Sequence, residues 1–127
     1  MRKTPGQQRW DDGDDRVRVL LECALKDSPT IVASVIEREG YAVRTCDGPT
    51  GTTCDLLDHG ACALVDGADV VVNLLGTTPD EQAVLDTMTG LRRPPAIAVE
   101  VGKANRLTKR VLLTDIQRAL DGSVQPS

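Results

Sequence analysis

Apolar residues along this chain fall into two alternating patterns: short continuous runs of branched residues, and stretches where they recur every three or four positions. The runs read as buried strands and the spaced stretches as amphipathic helices. Strands are expected at residues 17–21, 41–45, 70–75 and 96–101, with a short fifth near 106–108. A first helix is expected to open at Ser28-Pro29, since serine caps a helix and proline suits its first position. Ile31, Val32, Val35 and Ile36 share a face of that helix, and Gly40 ends it. Thr78-Pro79-Asp80-Glu81 is a capping-box start for a second helix. Its apolar face is Val84, Leu85, Met88 and Leu91, and Pro94-Pro95 breaks it. A last helix is expected from about Thr114, with Ile116, Ala119 and Leu120 facing inward, until Gly122 stops it. Residues 46–69 read as irregular, with a short helix near 55–58.

Strand and helix alternate with short connections, which predicts an α/β fold with a parallel sheet covered on both faces. Five strands in this length favour a flavodoxin-like three-layer sandwich of strand order 2-1-3-4-5, with one helix shortened or missing. Residues 1–15 are polar and carry Asp11, Asp12, Asp14 and Asp15, which reads as a disordered tail. The domain then covers residues 16–122, and 123–127 form a second tail.

The composition narrows the function. Only 2% of the 127 residues are aromatic, namely Trp10 and Tyr41 with no Phe, so the core must be aliphatic. A base-stacking platform needs several aromatics. The net charge of −4 opposes binding to nucleic acid or an anionic membrane. No apolar stretch is long enough to span a bilayer, and residues 1–15 hold no signal-peptide core. A cytoplasmic protein is the expectation. Arg92, Arg93, Lys103, Arg106, Lys109 and Arg110 make the C-terminal half locally basic, which reads as a solvated face.

Cys46, Cys54 and Cys62 are spaced C-x7-C-x7-C, with the single histidine, His59, among them. Three thiolates and an imidazole are a competent tetrahedral set for zinc, and three thiolates with an outside ligand could hold an iron–sulfur cluster. A Cys54–Cys62 disulfide and inert thiols are the other readings. The spacing matches no tight C-x2-C motif. Cys23 ends the first strand, where a nucleophilic cysteine would suit phosphoryl transfer. The following Ala24-Leu25-Lys26-Asp27-Ser28-Pro29 lacks the glycines or arginine that would wrap a phosphate. A buried apolar cysteine is the better reading there.

Set in order, five segments resemble a response-regulator receiver domain: RVRVLLE, VIEREGYAVRTCDGP, ADVVVNLLG, LRRPPAIAVEV and LTKRVLLTDIQRAL. Such domains hold Mg²⁺ with an acid pair after the first strand and accept phosphate on an Asp ending the third. A hydroxyl follows the fourth strand and a lysine the fifth. The resemblance places the acid pair on Cys23 and Ala24, beside Glu22. It places the acceptor on Asn73, the hydroxyl on Glu100 and the lysine on Lys109. Only Lys109 keeps its type, so the resemblance implies a degenerate pocket and a pseudo-receiver rather than an enzyme. An ion pair between Glu100 and Lys109 would then close the former phosphate site. The expected function is phosphorylation-independent regulation through a protein partner or a homodimer, with no cofactor. The alternatives are a redox or metal sensor using Cys46, Cys54, His59 and Cys62, and phosphoryl transfer by Cys23.

Overall fold

A computed structural model describes residues 10, 13, 15–23, 29–46, 56–57, 60, 62–74, 78–92, 94–98 and 109–124. Four strands, β1 (Arg18–Glu22), β2 (Ala42–Cys46), β3 (Val70–Asn73) and β4 (Ala96–Ala98), form one all-parallel sheet of order β2-β1-β3-β4. The helices whose bounds lie among the described residues are α1 (Pro29–Glu37), α2 (Ala63–Gly67), α3 (Pro79–Thr89) and α4 (Lys109–Val124). The arrangement is flavodoxin-like, with four strands among the described residues. The expected fifth strand at 106–108 lies outside them.

The handedness of parallel connections explains which helix covers which face. Crossovers between parallel strands are right-handed, so a step to the left and a step to the right lay their helices on opposite faces. The chain steps from β1 out to β2 with α1 on one face. It then steps back across β1 to β3, and on to β4, with α2 and α3 on the other. The two cores follow the pleat. Val19, Leu21, Val43, Val70 and Val72 point toward Ala33 and Ile36 of α1 and Leu112 and Ile116 of α4. Leu20, Ala42 and Val71 point toward Leu64 and Val65 of α2 and Val84 and Met88 of α3. Both faces of the central strands are apolar, as a doubly covered parallel sheet requires.

Several elements begin or end where local chemistry dictates. Thr78 accepts from the backbone of Glu81 at 3.3 Å, and its own backbone N–H reaches the Glu81 carboxylate at 3.4 Å, so the capping box forms as the sequence predicts. α1 gives way to a turn closed by Gly40, whose φ of +97° lies in the left-handed region that favours glycine. At the amino edge of the sheet, the Arg18 backbone N–H donates to Oδ2 of Asp69 at 2.8 Å, and the Asp69 N–H donates to the Arg18 carbonyl at 2.9 Å. This reciprocal pair ties the start of β1 to the start of β3.

The structure departs from the sequence reading in five places. Helix α2 occupies Ala63–Gly67, within the stretch read as irregular, while Leu56 and Leu57 are helical as expected. Helix α4 begins at Lys109 rather than near Thr114 and runs through Gly122 to Val124. Leu112 and Ile116, four apart, set its buried face and carry the helix back to Lys109. Helix α3 ends at Thr89, with Gly90 as its cap, before the Pro94-Pro95 pair. Ile31 is 68% exposed, and Ala33 takes the inward place beside Ile36. Trp10, within the segment read as a tail, is only 9% exposed.

Candidate functional site

Reversal of strand order marks where an open α/β sheet binds ligands: outside the carboxyl ends of the two strands from which the chain departs in opposite directions. Here those strands are β1 and β3. Their last residues are Glu22 and Asn73, and the two are register partners. Each is only 3% exposed, and they are the two buried polar or charged residues among those described. On the other side of β1, Glu22 is in register with Cys46, the last residue of β2. Cys46, Glu22 and Asn73 therefore form one row across three strands at the carboxyl edge. By the alternation of the pleat they share the face that carries Leu20 and Val71. Two backbone bonds tie the strand ends around this row. The Cys23 N–H donates to the Cys46 carbonyl at 2.9 Å, and the Leu74 N–H donates to the Glu22 carbonyl at 2.8 Å.

The row has limited chemistry. A carboxylate offers acceptors, and an amide offers both acceptor and donors. The neutral Asn73 is no match for a carboxylate as a phosphoryl acceptor. A hard cation such as Mg²⁺ takes oxygen ligands, in a phosphoryl-transfer site one or two carboxylates with waters and phosphate oxygens. Glu22 is the one carboxylate of the row, and the position beside it is a thiol, Cys23. That thiol is 1% exposed and belongs to the opposite core, among Val19, Leu21 and Ile36. Among the described residues the row thus offers one carboxylate and one amide, and a nucleophilic role for Cys23 is poorly served by its burial. Asn73 also has an electrostatic consequence. Two buried carboxylates facing each other in register would repel, and one amide in the pair removes the repulsion.

Of the five residues expected in the pocket, the structure brings Glu22 and Asn73 together and turns Cys23 to the far face. Lys109 is the first residue of α4 rather than part of a preceding loop. Its side chain and all of Glu100 lie outside the described residues, and so does the expected ion pair. Of the thiol set, Cys46 and Cys62 are both half-buried and both packed against the cluster of Leu20, Leu64 and Val71. Cys54 and His59 lie outside the described residues. Among the described residues no helix is long and apolar enough to cross a membrane.

Two features escaped the sequence reading. The place of Cys46 beside Glu22 follows only from strand register. The burial of Trp10 had a faint signal: a lone tryptophan in a polar, acidic stretch of a chain almost without aromatics. No family model matches the chain, and no curated protein or solved structure matches it either.

Proposed function

We propose that this chain is a receiver-like regulatory domain that works without phosphorylation, through contact with a protein. The observation that carries the reading is the buried Glu22–Asn73 pair. It sits at the point of strand reversal, where a receiver keeps its acceptor and acid residues, but with an amide in the acceptor's place. On this reading residues 106–108 supply the fifth strand of a 2-1-3-4-5 sheet, and Lys109 and Glu100 face each other across the closed pocket. The net charge of −4 argues for a protein partner over nucleic acid. The test is intact mass after incubation with acetyl phosphate and Mg²⁺. The mass is expected to stay unchanged, and a stable single adduct mapped to the carboxyl edge of the sheet would overturn the proposal.

A second reading, a thiol-based sensor of oxidant or metal, draws on Cys46 and Cys62 packing against one cluster. Metal analysis and thiol counting on freshly purified protein separate it from the first. Bound zinc, an iron–sulfur chromophore or fewer than four reactive thiols after unfolding favours the sensor.

A further inference from the structure

Trp10 is held as a ligand is held. Its Nε1–H donates to the Leu64 carbonyl of α2 at 2.9 Å, in a buried bond spanning 54 residues of sequence. Its ring lies so close to α2 that a Cβ on Gly67 would stand 2.5 Å from Cδ1, so only glycine leaves room for it. The guanidinium carbons of Arg18 and Arg44 lie 5.9 and 5.8 Å from the ring centroid, within reach of a cation–π attraction. The slot thus has an apolar wall, an acceptor for the indole N–H and two cations against the ring. Trp10 itself belongs to no strand or helix. Contacts made from such a segment are among the first to open.

We propose that this slot is a recognition site for an acidic segment of a partner protein bearing a tryptophan, and that the chain's own N-terminal segment fills it at rest. Charge complementarity names the partner's chemistry. The occupant is followed in sequence by Asp11, Asp12, Gly13, Asp14 and Asp15, and the slot presents Arg18 and Arg44. A partner of the same pattern would displace Trp10 and dock on the face that carries Glu22 and Asn73. The proposal supplies a partner for the regulatory reading without depending on the phosphate argument, because the mass measurement above and the binding measurement below can fail separately.

The test uses the full chain labelled with 5-fluorotryptophan, whose single fluorine signal reports on Trp10 alone. The probe is an unlabelled peptide of residues 8–15, QRWDDGDD. The fluorine resonance is expected to move from a buried to a solvent-exposed position as peptide is added, while the methyl proton spectrum stays dispersed. A peptide with alanine for tryptophan should leave it in place. In Trp10→Ala, which vacates the slot, the tryptophan peptide should bind about tenfold or more tighter than to the wild type, because the tethered competitor acts at millimolar effective concentration. Arg44→Gln should weaken that binding several-fold. A resonance that excess peptide does not move overturns the proposal, even if Trp10→Ala fails to fold. So does an equal response to the alanine peptide. A native dimer that exchanges labelled N-terminal segments between copies would overturn the partner in favour of self-association.

Discussion

The two faces of the sheet are built on different principles. The face under α1 and α4 is sealed by aliphatic side chains from two regular helices, with Leu21, Ile36, Val72 and Ile116 fully buried. The opposite face carries the five-residue α2, the longer α3, an indole brought in from outside the regular elements, two half-buried thiols, and the Glu22–Asn73 pair. One face is redundant packing and the other is a set of individual contacts. The difference teaches where to look for function: a site needs polar groups, and among the described residues the buried Glu22–Asn73 pair lies on the second face.

The largest expected effect tests the sealed face. Ile116→Ala should lower stability by about 2–5 kcal/mol, since a fully buried side chain leaves a cavity between α4 and the sheet. Chemical denaturation should show that loss with an unchanged indole environment in the folded state. If Trp10 becomes exposed in the native variant, the two faces are not independent.

Next, Asn73→Asp places a second carboxylate opposite Glu22. The pair would hold a proton more tightly folded than unfolded, which destabilises by about 1.4 kcal/mol per unit of upward pKa shift. The sign follows from linkage. The loss is absent below the ordinary Asp pKa of about 3.9, and it grows as pH rises from there to the raised folded value. Stability of the variant measured against wild type from pH 3 to pH 8 checks this. A difference that does not vary with pH would mean that the two side chains do not interact.

Gly67→Ala is a smaller change with a more specific readout. Overpacking of this kind costs about 1–3 kcal/mol, and the added Cβ would stand 2.5 Å from Cδ1 of Trp10. Tryptophan emission should shift to the red in a folded protein, with less lost stability than Ile116→Ala produces. Last, Thr78→Ala removes the cap of α3 and should cost about 0.5–2 kcal/mol, with no effect on the indole.

How much of this was legible beforehand differs between the faces in the same way. β1 and β3 announce themselves because strands buried on both sides are continuous branched runs, and the start of α3 carries its capping box openly. Helix α2 has only two buried apolar residues and ends on Gly67, so nothing in its five residues signals a helix. Thr114 and Gln117 have the spacing of a capping box and so suggest a helix start at Thr114, but the helical spacing of Leu112 and Ile116 carries α4 back to Lys109. At the candidate site, Glu22 and Asn73 were found by resemblance of order along the chain. Their neighbour Cys46 is set by register, and the slot for Trp10 by contacts across 54 residues. The first has no local signature, and the second only the faint one of a lone tryptophan in an acidic stretch.

The reciprocal bonds between Arg18 and Asp69 act at a distance from the place they serve. They engage at the amino edge, and four residues further along β1 the same alignment delivers Glu22 to Asn73. Side chains of a strand alternate, so sliding β3 by a single residue would send Asn73 into the aliphatic side and bring a valine or leucine beside the carboxylate. Asp69 thus reinforces, from the amino edge, the same alignment that the buried faces of β1 and β3 impose.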